Sequence, residues 1–489
     1  MTADIKRKSV SAVVWSAVDV FMRQGVQFVV GVILARLLAP EEFGLIAMLG
    51  LFIGLAGAFA DSGFSSALIQ KNHLTDEDTS SVFYFNLLTG FLMAALLCLL
   101  SPWIAHFYQM PILKILTWAM ALNLFLGSFG SVHWALLNRD LDFRTQMRIS
   151  VGAGVISGVL AICLAAFGWG VWSLVVQTLV STVISTIGVW WCRPWRPRFI
   201  FSFASLRTLL RFGSYLLFSV LLDTAYNRFY TLIIGKVYSA RALGYYTRAD
   251  STQQLPANII ATIVGRVAFP IFSAAAGDKD LLQRGMRKAV ESLMLVNLPV
   301  MLGLLAVSRP LVLTLLGGKW LPCVPYLQVL CLAGILWPMH IINLNLLKAI
   351  GRTDLFFRLQ IIKQLVGIIV LLISANISML AMAWSQVVLG VVSYFLNAYY
   401  AGVYVNYSAF RQLRDIFPLV LASGFMFAGI WPLNLIISLP APVLLTIQIA
   451  TGSAIYFGGC ILLRFRAFTE GINELQSRFK LIFPLRSRA

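Results

Sequence analysis

SAVVWSAVDVFMRQGVQFVVGVILARLL at residues 11–38 and GSYLLFSVLLDTAYNRFYTLIIGKVY at residues 213–238 decide the reading of this chain. Two hundred residues apart, each sets polar side chains at the same register inside an apolar run: Asp19, Arg23 and Gln27 in the first, Ser219, Asp223 and Asn227 in the second. A spacing of four places each trio on one helical face. A charge in hydrocarbon costs several kcal/mol, so such residues face a cavity, a partner or a substrate. The correspondence continues through Arg36 and Lys236 to Gly44 and Gly244, which makes it a duplication.

Outside these stretches the composition is that of a protein dissolved in lipid. The 489 residues are 59% hydrophobic and 12% charged, whereas soluble domains carry about 25% charged residues. A span needs roughly 20 apolar residues, and Ile149–Cys192, Gln364–Phe410 and Ile416–Leu463 are each long enough for two. Helical hairpins are therefore the expected unit. The apolar runs predict about fourteen spans, starting near residues 11, 43, 81, 112, 149, 170, 213, 244, 289, 322, 355, 378, 416 and 441. An even count puts both termini on one side, and with the amino terminus cytoplasmic most of the 38 lysines and arginines fall on inner segments, as the positive-inside rule requires.

Six helices separate the two related spans, so the repeats share orientation and are related by an axis along the membrane normal. The expected organisation is an amino-terminal lobe over 1–192, a basic cytoplasmic linker over 193–212, a second lobe over 213–404, a terminal helix pair over 405–464 and an amphipathic tail over 465–489. The linker RPWRPRFIFSFASLRTLLR interleaves arginines with aromatics, which suits a segment lying along the membrane surface as a connector or a lipid sensor. Thr469–Phe483 spaces apolar residues for an interfacial helix. Lys6-Arg7-Lys8 precedes an apolar run that carries Asp19 and Arg23 and shows no cleavage site, so it reads as a retained first helix.

The formal charge of +19 does not point to nucleic acid, because the cations are scattered among short loops rather than gathered into a basic domain. The six cysteines lie in or beside different spans with no CxxC pair, so neither a disulfide framework nor a metal site is expected. There is no Walker A sequence for ATP hydrolysis, and no extramembrane segment is long enough to fold a catalytic domain. A transporter fits these limits, and an enzyme does not.

Four cations and two amides are candidates for the substrate path, as anion contacts or wet-face residues: Arg23, Gln27, Asn227, Arg228, Arg266 and Lys363. Four carboxylates, Asp19, Asp61, Asp223 and Glu291, are candidates for ion coupling or gating. For each there is a plainer role. Asp19 and Arg23 form a favourable i,i+4 pair that makes a buried charge tolerable; Asp61 sits among Gly54, Gly57, Ser62, Gly63, Ser65 and Ser66, a stretch suited to close helix packing; and Arg266, near Pro270, reaches the surface by snorkelling. Arg36 and Lys236 lie at the outer ends, where the topology rule disfavours cations.

LARLLAPEEFGLIAMLGLFIGLAGAFADSGFSSALIQ at 34–70, LLNRDLDFR at 136–144, SARALGYYTRAD at 239–250 and LGGKWLPCVPYLQVLCLAG at 316–334 resemble the Wzx-type polysaccharide flippases. These are exporters of the multidrug/oligosaccharidyl-lipid/polysaccharide superfamily, in its colanic-acid and teichuronic-acid branch. The resemblance implies an all-α integral membrane fold, with fourteen helices in two like-oriented lobes around a central cavity. It also implies a bacterial inner-membrane protein that moves an undecaprenyl-pyrophosphate-linked oligosaccharide to the outer leaflet, alongside polysaccharide polymerase or export proteins. No cofactor is expected, and the coupling ion, H+ or Na+, is open. The alternative is an ion-coupled multidrug or toxin antiporter of the same superfamily.

Overall fold

A computed structural model describes residues 3–61, 63–71, 74–274, 277–436, 439–462, 465 and 468–469, without the side chains of 3–14, 16–17, 66, 208–213, 215–216, 258–271, 273–274 and 353. The tail beyond Thr469 and the side chains of Arg266 and Pro270 lie outside the described residues. Every described element is helical. Two compact units divide at Thr247/Arg248, so the helix that opens the second repeat belongs to the first unit.

The first unit contains α1 (Ala3–Leu37), α2 (Pro40–Asp61), α3 (Phe64–Gln70), α4 (Asp76–Tyr108), α5 (Ile112–Ser128), α6 (Ser131–Arg139), α7 (Phe143–Ala166), α8 (Val171–Cys192), α9 (Phe203–Val237) and the first turns of α10 (Ala240–Ala274). Small residues set the helix spacing, as they must where lipid offers no hydrophobic drive for association. Gly154 and Gly158 of α7 admit Val26 and Val30 of α1, and Gly50 and Gly54 of α2 face Arg228 and Thr224 of α9. One end of this unit is tied by polar contacts. Thr75 and Asp78 form a reciprocal capping box at the start of α4, which satisfies two helix-end donors at once. The nearly buried Asp78 carboxylate also takes Lys71 at 2.7 Å and the Ser205 hydroxyl. Arg139 of α6 donates to the Leu68 and Lys71 carbonyls, both at 2.7 Å, closing the end of α3.

The second unit contains the rest of α10, then α11 (Lys279–Leu315), α12 (Val324–Ile335), α13 (Trp337–Ala349), α14 (Thr353–Ala375), α15 (Met379–Val405), α16 (Ala409–Ile430), α17 (Leu433–Ile436) and α18 (Ala441–Leu462). Its core is methionine-rich, with Met286, Met294 and Met339 fully buried beside Tyr394 and Tyr407. Inside it, polar side chains bond backbone or one another: Gln448 donates to the Ile430 carbonyl at 3.1 Å, and Asn343 to Gln412 at 3.1 Å. Away from water an unpaired amide costs several kcal/mol; these pairings offset that cost for the donors, while Gln448 Oε1 has no partner among the described residues.

Among the described residues eleven helices are long and apolar enough to cross a membrane, or twelve if the bent pair α5–α6 is one span. This establishes a multi-pass membrane protein and supplies eleven or twelve of the fourteen spans expected. The fourth span of each repeat is broken, at Phe129–Gly130 between α5 and α6 and at Leu336 between α12 and α13. The first break bends by 46°.

Candidate translocation pathway

The two polar trios occupy equivalent positions on α1 and α9 but meet different surroundings. On α1, Arg23 and Gln27 are exposed while Asp19 is only 6% exposed. Its Oδ1 finds no hydrogen-bond partner among the described residues, and Arg23 is the nearby charge that acts on it. On α9, Ser219, Asp223 and Asn227 are all exposed. The helix meets α2 through Thr224 and Arg228, one residue along from Asp223 and Asn227 and therefore about 100° round the axis. The α9 polar row is thus free of the packed face, whereas the α1 row runs into the Val26 and Val30 face that α7 covers.

At the ends of these helices the duplication closes on itself. A Cβ added to Gly44 would overlap the Ala240 carbonyl, and one added to Gly244 would overlap the Pro40 carbonyl. Positions 40 and 240, and 44 and 244, are repeat equivalents, so each start touches the other by the same pair of positions. That is the signature of an isologous contact about a two-fold axis. Glu41 and Arg241, again equivalents, lie 4.0 Å apart across it. Only glycine permits this approach, because any side chain would meet backbone that has nowhere to go.

The caps of the two helices differ. Glu42 reaches back to accept the Ala39 N–H at 2.7 Å, while in the second repeat Ser239 accepts the Ala242 N–H at 3.1 Å. Either arrangement satisfies a helix-start donor. The cations at the ends of these two helices are likewise placed: Lys236 donates to the Phe107 carbonyl with its ammonium 4.7 Å from the Phe107 ring centre, and Arg36 is exposed on the last turn of α1.

The remaining candidates do not gather at one point. Asp61 accepts from Ser65 at the turn between α2 and α3, where Gly63 takes a positive φ of 72°. Glu291 pairs with Arg287 at 2.9 Å, and Arg287 also holds Asp415 at 3.0 Å, whose other oxygen takes the Tyr407 hydroxyl at 2.7 Å. That cluster lies within the second unit and gives Glu291 an ion-pair partner. Lys363 is half-buried on α14. Among the described residues no group of histidines, cysteines and carboxylates is placed to hold a metal ion.

A family model described as polysaccharide biosynthesis protein matches residues 33–325, from the end of α1 to the start of α12. The chain belongs to that family. Both glycine starts and both polar helices lie in or beside the matched region. Relatives of the polysaccharide biosynthesis family include the teichuronic acid biosynthesis protein TuaB of Bacillus subtilis, 28% identical over 98% of this chain and 99% of its own length. The succinoglycan biosynthesis transport protein ExoT of Rhizobium meliloti is 29% identical over 73% and 72%, and the lipopolysaccharide biosynthesis protein WzxC of Escherichia coli 26% over 80% and 81%. Among solved structures, the lipid II flippase MurJ in an inward closed conformation superposes with a TM-score of 0.75 at 16% identity, covering 92% of this chain and 99% of that one. An inward-facing multidrug resistance transporter of the MATE family gives 0.63 at 17% identity, over 78% and 96%. At such identities these two show that the chain shares their fold.

Sequence reasoning missed the residues that support the broken spans. Asn297 of α11 donates to the Gly334 and Ile335 carbonyls at 3.2 and 2.8 Å, and Trp190 of α8 donates to the Phe129 carbonyl at 2.9 Å. Asn297 had a visible signal, an amide two residues before Pro299 in an otherwise apolar run. Trp190 had none beyond its place in an interfacial aromatic cluster.

Proposed function

We propose that this protein is a flippase that carries an undecaprenyl-pyrophosphate-linked oligosaccharide from the cytoplasmic to the outer leaflet of a bacterial inner membrane. It would do so by alternating access, for cell-surface polysaccharide assembly, with both termini cytoplasmic and no reaction catalysed. The observation that carries this reading is the reciprocal Gly44/Gly244 closure together with the exposed Arg23 and Gln27 of α1 and the exposed polar row of α9. In the proposed orientation that contact seals the outer side, while Arg23, Gln27, Asn227 and Arg228 line the way in from the cytoplasm. Pyrophosphate and hydrated sugars need such a polar, partly cationic chamber, and the lipid tail stays in the bilayer. The relatives' names support the cargo: teichuronic acid, succinoglycan and lipopolysaccharide are all assembled or transported by proteins of this likeness.

Two rocking repeats about a two-fold contact are a known solution for alternating access. Asp19, buried beside Arg23, is the carboxylate best placed to exchange a proton or a sodium ion as the outer contact opens. A polymerase or export partner would take the product at the outer surface.

The test is to delete the gene, with redundant exporters absent, and follow lipid-linked oligosaccharide in each leaflet. Outer-leaflet delivery should fall and recover on complementation; undiminished delivery would sink the proposal. Arg23→Ala and Arg228→Ala should each lower export roughly tenfold, the size of one lost charge-assisted contact, with membrane insertion intact.

A further inference from the structure

The break between α5 and α6 opens a cleft of about 760 Å³ in the first unit, lined by Leu126, Phe129, Val183, Ile187, Trp190 and Trp191 with Arg196 at its end. Its volume is in the range of sites that hold small molecules, about 300–1,000 Å³. The floor is fixed. Trp190 is held by its bond to the Phe129 carbonyl, by the His133 ring at 4.8 Å and by Phe83 at 6.0 Å. The walls are less covered: Trp191 is 85% exposed, and Ile187 also faces outward. An apolar slot that opens on the lipid-facing side of a membrane helix is a place for an acyl chain.

The charges around it select a headgroup. Arg193 pairs with Asp140, and Arg198 pairs with Asp76 at 2.9 Å. Arg196 pairs with no carboxylate among the described residues. Its guanidinium lies 5.4 Å from the Trp190 ring centre and donates to the Arg193 and Trp195 carbonyls at 2.7 and 2.8 Å, which fixes its position and leaves its charge unneutralised. The linker that carries it is itself anchored, through Arg198 N–H to Ser80 at 3.0 Å and Ser202 N–H to Ser81 at 2.9 Å. Phe199 and Phe203 on the same segment stand almost fully exposed, as residues seated in a membrane interface do.

We propose that this cleft is a binding site for an anionic phospholipid, with its phosphate on Arg196 and one acyl chain along Ile187, Val183 and Leu126. The lipid would brace the linker that leads into α9. Only the leaflet it is drawn from, the cytoplasmic one, rests on the proposed orientation; the site itself does not rest on any cargo.

The experiment is intact-complex mass spectrometry of the detergent-solubilised full chain with phosphatidylglycerol or phosphatidylcholine. Wild-type protein should retain phosphatidylglycerol about fivefold better, the effect of one interfacial cation on an anionic headgroup. Arg196→Gln should remove that preference, Arg198→Gln should leave it, and Val183→Trp, which fills the cleft from a partly exposed position, should reduce retention of both lipids. Equal retention of the two lipids by wild type, or equal losses in Arg196→Gln and Arg198→Gln, would overturn the proposal. Displacement by soluble glycerol phosphate would make this a simple anion site, and displacement by equimolar undecaprenyl phosphate would give it to the cargo's lipid; either result overturns the assignment as well.

Discussion

The broken fourth spans show how the two repeats part company. Between α12 and α13 both freed carbonyls go to one buried amide, Asn297, and Gln253 and Met301 press on Gly334 so closely that a Cβ there would overlap them. Between α5 and α6 the carbonyls of Leu126 and Phe129 go to Thr186 at 3.5 Å and Trp190 at 2.9 Å, and a cleft is left beside them. The backbone problem is the same, since an interrupted helix in lipid must satisfy its polar groups within the protein. One solution is a filled core and the other is a surface that accepts something from the bilayer. The helix starts at Gly44 and Gly244 make the opposite point, because there the two repeats have kept one contact with one residue type.

That contrast orders the expected effects of mutation. Gly44→Leu and Gly244→Leu should each abolish export and to the same degree, because each drives a side chain into equivalent backbone; a large effect from only one would break the two-fold reading. Asn297→Leu strands two buried carbonyls and should lower stability by about 1–2 kcal/mol, against about 0.6 kcal/mol for Trp190→Phe at the more open break. Thermal unfolding of the purified chain measures both, and equal losses would remove the distinction drawn between the breaks. Arg241→Glu should change export least, because an exposed pair at 4.0 Å contributes only about 0–1 kcal/mol.

Much of this architecture was legible in the sequence. Hydropathy located eleven or twelve of the fourteen expected spans among the described residues, and the two-hundred-residue offset located the repeat and its paired glycines. Gly44 and Gly244 stood out only as matched letters, since a sequence shows that a side chain is missing but not which backbone occupies the space. Four-residue spacing set Asp19 and Asp223 at equivalent helix positions, yet one is buried and the other exposed: a helical face is set by local geometry, its burial by neighbours distant in sequence. Arg287 stands four residues before Glu291 on the same helix and could have been read as its partner, but the same limit hid Asp415, which shares Arg287 from another helix. The unit boundary at Thr247 rather than at the linker follows from α9 packing along the glycines of α2, which no composition shift announces. The side chain of Arg266 lies outside the described residues.

The central claim is that the path between the polar rows is open from the cytoplasm when the Gly44/Gly244 contact is closed. Cysteines placed at Gln27 and Asn227, in a background corrected for the exposed Cys163 and Cys192, can be probed with a membrane-impermeant maleimide in inside-out and right-side-out vesicles. Labelling from the cytoplasmic face, with protection from the outside and a reversal of that pattern in Gly44→Leu, is the predicted result. Labelling from the outside alone in the unmodified background, or a pattern indifferent to Gly44→Leu, would contradict it.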